Sequence, residues 1–292
     1  MTGQLNDLIA ALEGQVTDLR AAENRLREYA WQLEQINREL ERSNAELQDF
    51  AYVASHDLQE PLRKIQTFGS RLETRYGAAL DDRGQDYLAR MISAAARMQA
   101  LIEDLLAFSR VTTRAQPFEM VDLNRTAADA LRNLETAVTQ TNAQIELDDL
   151  PAIEADSTQM QQLFQNLLGN AIKFHKEDAP PQVRVYSQLR PSAGQTCGEW
   201  QIFVEDNGIG LDEKYVDRIF DVFQRLHPRT RYPGSGVGLA ICRKIVERHH
   251  GRLAVRSQPG EGATFIVTLP ASQPKNESAD DADSADLYRI TR

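Results

Sequence analysis

Four short stretches in the second half of the chain carry residue types that suit a bound nucleotide. In Asn166-Leu-Leu-Gly-Asn170-Ala-Ile-Lys173, the steps of four and three put Asn166, Asn170 and Lys173 on one face of a predicted helix. An amide oxygen can ligate Mg2+, and a lysine beside it neutralises phosphate charge. Glu205-Asp206-Asn207-Gly208-Ile209-Gly210 follows an apolar run. It sets the Asp206 carboxylate at a strand end, where it can accept from an exocyclic amine, while Gly208 and Gly210 let backbone lie against a purine. Gly234-Ser235-Gly236-Val237-Gly238-Leu239 leads into a helix whose free N–H groups suit a polyphosphate. Gly260-Glu261-Gly262-Ala263-Thr264-Phe265 opens the last strand. Each has a bland counterpart, namely an amphipathic stripe, a turn, a flexible loop or a hairpin, so the order of all four carries the reading. A polar stretch with Phe220, Phe223, Arg225, His227, Arg229 and Arg231 lies between the second and third, long enough for a lid.

The first half offers one candidate nucleophile, His56 in Ser55-His56-Asp57-Leu58-Gln59-Glu60-Pro61-Leu62. A histidine on a bundle helix is usually a surface residue, but a neutral imidazole is a competent nucleophile when a neighbouring carboxylate holds its proton on one nitrogen. Asp57 is that candidate, although residues i and i+1 point about 100° apart on a helix of 3.6 residues per turn, so it must reach round. Pro61 cannot donate to the carbonyl of Asp57, which bends or loosens the helix beside His56.

Three kinds of element must position these groups. Leu5, Leu12, Leu19, Leu26, Leu33, Leu40 and Leu47 recur every seven residues without an intervening Pro, a coiled-coil seam with Asn37 and Asn44 near it. Such a rod needs a partner helix, so the chain is expected to be a homodimer, with the rod either a plain stalk or a signal-transmitting helix. Two amphipathic stretches flank a turn at Gly77 and Leu80-Asp81-Asp82, forming an antiparallel hairpin, and two hairpins make a four-helix bundle. Beyond Gln116-Pro117, β-like runs at 118–121, 145–147, 183–187, 200–205, 253–257 and 264–269 alternate with helical stretches near 123–140, 157–174 and 237–249. That mixture predicts an α/β two-layer sandwich, with Asp122 and Asp156 as helix N-caps. The predicted organisation is a coiled-coil helix over 1–47, a helical hairpin over 48–113, a nucleotide-binding domain over 114–271 and an acidic, disordered tail over 272–292.

Bulk properties narrow the class. Of 292 residues, 41% are hydrophobic and 26% charged, the balance of a soluble protein of about two domains. No apolar run reaches the roughly 20 residues of a membrane helix and no secretory pattern opens the chain, so a cytoplasmic location is expected. A net charge of −10 argues against a nucleic-acid surface. Cys197 and Cys242 lie far apart without a CxxC companion and read as packing residues.

Over roughly residues 45–270 the order of motifs resembles the sensor histidine kinases, whose phosphoacceptor box matches 55–62 and whose Asn, Gly and Phe boxes match the stretches above. The Ser-His-Asp-Leu-Gln-Glu-Pro-Leu-Arg variant is most similar to kinases of bacteriophytochromes and related PAS- or GAF-linked sensors. The resemblance implies a Bergerat-type ATP-binding fold and phosphorylation of His56 from ATP with Asp57 as base. It implies Mg2+ on Asn170, with Asn166 and Lys173 at the phosphates or metal. Asp206 then takes the adenine amine, Gly208 and Gly210 the purine floor, Gly236 and Gly238 the phosphates, and Thr264 a supporting bond beneath the base. A response regulator receiver domain is the implied partner, and a PAS, GAF or phytochrome module the implied upstream sensor. Two positions depart from the pattern. Glu60 stands where many relatives carry the Thr or Asn that positions water for phosphatase activity, and Asp57 is shorter than the usual Glu.

The same nucleotide fold is similar to that of DNA gyrase, MutL repair proteins and heat-shock chaperones, which hydrolyse ATP. Those enzymes place a glutamate base four residues before the metal-binding asparagine, where this chain has Asn166, which cannot accept a proton. A non-catalytic coiled-coil scaffold is the third reading, disfavoured by the intact boxes.

Overall fold

The computed structural model describes residues 2–113, 115–190, 198–216, 218–227, 231–232 and 234–272. The chain divides into two compact units, Met1–His56 and Asp57–Arg292. Residues 273–292 of the predicted tail, Cys197, Arg229 and the side chains of Leu5, Leu12, Asn44, Leu47 and His56 lie outside the described residues.

The first unit is helical. Helix α1 spans Thr2–Tyr76, and its heptad leucines Leu19, Leu26, Leu33 and Leu40 are 66% to 73% exposed. Ion pairs one turn apart, Glu23 with Arg27 at 2.7 Å and Glu34 with Arg38 at 2.8 Å, lie on the solvated surface. Exposed pairs of this kind contribute only tenths of a kcal/mol, so the rod's stability must come from covering the leucine stripe. The helix runs on through Pro61, which has no N–H to donate along the helix.

In the second unit, residues 57–76 of α1 turn through a 3-10 segment, Gly77–Ala79, into α2, Asp82–Thr113. Asp81 caps α2, its carboxylate accepting from the Gly84 N–H at 2.8 Å. Leu62, Ala95, Ile102 and Leu106 form the hairpin core, and Gln66 donates to Gln99 at 2.8 Å across it. Phe68, Leu72, Met91 and Met98 are left 48% to 59% exposed, an apolar surface that a second hairpin would cover.

The sandwich follows. Strand β1 (Glu119–Asp122) pairs antiparallel with β3 (Ala152–Ala155) as a small two-stranded sheet. Between them lie α3 (Leu123–Asn133), α4 (Glu135–Thr141) and β2 (Gln144–Leu147). Helix α5 (Ser157–Lys173) leads to β4 (Gln182–Arg190) and β5 (Glu199–Asp206), then come α6 (Gly238–Arg248), β6 (Arg252–Gln258) and β7 (Gly262–Pro270). The main sheet has the order β2-β4-β5-β7-β6, parallel only between β2 and β4. One face is covered, where Leu163, Phe164 and Leu167 of α5 and Ile241 and Ile245 of α6 meet Val185, Val204, Val267 and Leu269. Asp122 and Asp156 cap α3 and α5 as expected, accepting from Asn124 N–H at 2.9 Å and Gln159 N–H at 3.1 Å. The helical stretch expected as one near 123–140 is broken at Leu134, whose φ of −103° and ψ of 5° end α3. Strand β3 was not anticipated from the sequence.

Candidate nucleotide site

A cavity of about 270 Å3 opens between the end of the main sheet and the start of α6. Helix α5 presents Asn166, Asn170 and Lys173 to it, as their spacing requires. Asp206 enters from the end of β5, Gly210 and Gly236 from loops, and Gly238 from the first turn of α6. Gly208 stands just behind the wall. A Cβ there would sit 2.4 Å from the Phe174 carbonyl oxygen, so only glycine lets this loop close on the end of α5. Gly210 has a φ of +64°, and a Cβ on it would come within 2.0 Å of the Gln258 carbonyl. The Ile209 N–H donates to the Phe174 carbonyl at 2.9 Å, and its own carbonyl accepts from Gly260 N–H at 2.8 Å.

Thr264 departs from its expected role. Ala263 and Phe265 line the cavity, and strand alternation turns Thr264, between them, to the opposite face of β7. The Ala263 backbone supplies the contact instead. Its N–H donates to Asp206 Oδ1 at 3.2 Å, alongside the Gly208 N–H at 2.9 Å. Both bonds fall on Oδ1, which leaves Oδ2 to accept from a ligand. Burial pushes the Asp206 carboxyl up to about 6, against the pull of those two backbone donors.

The other end of the cavity is cationic. Lys173 Nζ lies 4.3 Å from the centre of the Phe174 ring, and burial, with Arg225 nearby, brings its pKa down to about 8 while Asp104 works in the opposite sense. Asn166 Nδ2 is buried and has no partner beyond the thiol of Cys242, a weak acceptor, so a polar donor waits beside the phosphate end. Burial drives that thiol up to about 12, in keeping with a packing role. Among the described residues, no cluster of three or more His, Cys, Asp or Glu side chains is arranged to hold a metal ion.

The lid stretch is partly built into the wall. Phe220 is buried, and Arg225 donates from Nη2 to the Tyr232 carbonyl at 2.7 Å and from Nη1 to the Gly234 carbonyl. Phe174, His227 and Tyr232 form an aromatic group with ring centres 5.1 to 6.2 Å apart. The sequence reading missed Phe174 and Tyr232, although Phe174 follows Lys173 directly. It also missed Asp104, which reaches the cavity from α2 and has no motif around it. On α1, Asp57 is an exposed residue.

Two family models match the chain. Residues 46–114 match the family described as His Kinase A (phospho-acceptor) domain, and residues 155–273 match Histidine kinase-, DNA gyrase B-, and HSP90-like ATPase. Cyanobacterial phytochrome A of Nostoc sp. is 47% identical over 246 residues, covering 84% of this chain and 31% of the relative. Phytochrome-like protein Cph1 of Synechocystis sp. is 41% identical over 251 residues, covering 86% of this chain and 33% of the relative. The chain therefore spans about a third of the length of these curated relatives. Full-length ShkA in complex with AMPPNP shares the fold, with a TM-score of 0.58 at 23% identity over 77% of this chain and 46% of that one.

Proposed function

Because the chain belongs to the sensor histidine kinases, carrying both their phosphoacceptor and their ATP-binding domain, we propose that it is a kinase core that phosphorylates its own His56. The observation that carries this reading is the convergence of Asn166, Asn170, Lys173 and Asp206 on one cavity with an acidic base end and a cationic phosphate end. Asp206 Oδ2 accepts from the adenine amine, the backbone of Gly210 floors the purine with Gly208 closing the loop behind it, and Lys173 with the loop around Gly236 and the helix start at Gly238 holds the phosphates.

The amide oxygen of Asn170 is a hard ligand of the kind Mg2+ takes, and the ion when bound supplies neutralisation of phosphate charge. Transfer then needs in-line placement more than covalent help from the protein. One imidazole nitrogen of His56 forms a bond to the γ-phosphorus as the bond from that phosphorus to the bridging oxygen breaks and ADP leaves. The proton on the other nitrogen passes to the Asp57 carboxylate. Water is a poor competitor, since Asn166 occupies the position of the base in the hydrolytic relatives and cannot take a proton.

The proposed organisation is a coiled-coil helix over 1–47, a dimerisation and phosphotransfer hairpin over 48–113 and the catalytic domain over 114–271. The exposed heptad leucines and the uncovered hairpin face support a homodimer. The phosphoryl group passes on to the aspartate of a response regulator receiver domain, and a PAS, GAF or phytochrome module upstream supplies the signal in the cytoplasm. No helix among the described residues is long and apolar enough to cross a membrane.

The test is incubation with ATP labelled in the γ-phosphate. Acid-labile, alkali-stable label on the protein supports the kinase. Stoichiometric free phosphate instead makes the chain an ATPase, and neither product makes it a scaffold.

A further inference from the structure

The cavity has a wall that the nucleotide motifs do not account for. Asp104 lies in the C-terminal half of α2, in the hairpin half of the unit, yet it lines the same cavity as Lys173 and Arg225. Asp104 and Asp206 are the two carboxylates in that lining, and Asp206 belongs to the base end. Asp104 thus sits in the cationic end, where the phosphates would lie.

A network at the base of α2 holds it there. The Gln159 amide donates to the Val111 carbonyl at 2.8 Å, taking one of the last carbonyls of α2 that lack a partner within the helix. Just beyond, the Gln116 N–H donates to Asp156 Oδ2 at 2.8 Å, and its carbonyl accepts from Arg248 Nη2 at 2.8 Å. Arg248 Nη1 donates to both Asp156 Oδ2 and Gln159 Oε1, each at 2.9 Å. The guanidinium also lies 4.7 Å from the centre of the Phe118 ring. Asp156 is 1% exposed and Gln159 5%, so opening this clamp strands buried polar groups. Higher on the same contact, Lys244 Nζ donates to the Phe108 carbonyl at 3.1 Å. The backbone of Phe108, Val111 and Gln116 is therefore tied to α5 and α6, whatever the side chains at those three positions.

We propose that Asp104 is a specificity-determining residue of the nucleotide cavity, held in place by the Arg248 clamp, and that it makes the α2-docked arrangement favour ADP over ATP. A fixed carboxylate beside the phosphate end repels the additional negative charge of the triphosphate and competes with it for Lys173. Reciprocity follows. ATP favours the undocked arrangement by the same factor that docking weakens ATP. The inference rests on the proposed nucleotide site and adds to it a residue from the phosphotransfer half.

The experiment measures dissociation constants for ATP and ADP on the full chain by fluorescence competition, in EDTA and again with Mg2+. Binding of both nucleotides by the unsubstituted chain checks the site itself, so its absence overturns both readings. Given that binding, Asp104→Asn, isosteric at a half-buried position, is expected to lower the ratio of the ATP constant to the ADP constant roughly three- to tenfold in both buffers. An unchanged ratio overturns the inference. Weaker ATP binding in Mg2+ also overturns it, because the carboxylate would then be serving the metal. Arg248→Lys is expected to move the ratio the same way, and to add nothing in the Asp104→Asn background. An equal further shift in that background removes the clamp from the account.

Discussion

Replacing Asp206 by Asn separates what the carboxylate does for the nucleotide from what it does to the fold. The side chain is mostly buried and its pKa is pushed up from 3.8 to about 6, mainly by burial. A displacement of that size corresponds to roughly 3 kcal/mol of cost in keeping the charge at neutral pH. Asparagine removes the charge, and its Oδ1 can still accept from the Gly208 and Ala263 N–H groups. The nucleotide-free variant should therefore melt higher at pH 7.5, by roughly 5 to 10 °C if most of that cost is recovered. The sign with pH follows from the raised value. The folded state takes up the proton at about 6 and the unfolded chain near 3.8, so the parent gains stability as pH falls between them. The advantage of the variant should be full above pH 6 and absent by pH 4. ATP affinity should move the other way, falling roughly 10- to 100-fold with the loss of a charge-assisted hydrogen bond to the base. Thermal melts across pH and fluorescent ATP titration read the two effects. A variant that melts lower than the parent at pH 7.5, or keeps its advantage unchanged at pH 4, would show that the Asp206 charge carries no such cost.

The remaining predictions probe the other walls of the cavity. Gly210→Ala places a Cβ 2.0 Å from a backbone oxygen at a φ of +64°, so it should cost at least about 3 kcal/mol in denaturant unfolding and abolish ATP binding. Lys173 holds its charge only below about 8, so ATP affinity should fall as pH rises from 7 to 9; Lys173→Met should bind roughly tenfold more weakly with that dependence gone. Asn170→Ala should remove the Mg2+-dependent part of ATP affinity while leaving the oligomeric state by light scattering unchanged.

What the sequence made legible was local. Asn166, Asn170 and Lys173 follow from helical spacing alone, and Asp206 from its place after an apolar run, so α5 and β5 deliver them as expected. The six anticipated strands appear within a few residues, because alternation and flanking turns mark them. Strand β3 escaped because Ala-Ile-Glu-Ala is short and weakly β-forming, and its pairing with β1 lies about 35 residues away in sequence. Thr264 was misplaced for want of register, since one residue along a strand changes the face. Asp104 and the Arg248 clamp were illegible for a further reason. They depend on α2 meeting α5 and α6, and nothing in the residues around Asp104 records which helix it will face.

Self-phosphorylation is checked by locating the phosphoryl group after incubation with Mg-ATP. It predicts an acid-labile phosphoramidate on His56, found by mass spectrometry of peptides kept at alkaline pH, and none in His56→Gln, which still binds ATP because its nucleotide cavity is unaltered. Undiminished label in His56→Gln, or a parent chain that binds ATP and never acquires the phosphoramidate, would contradict it.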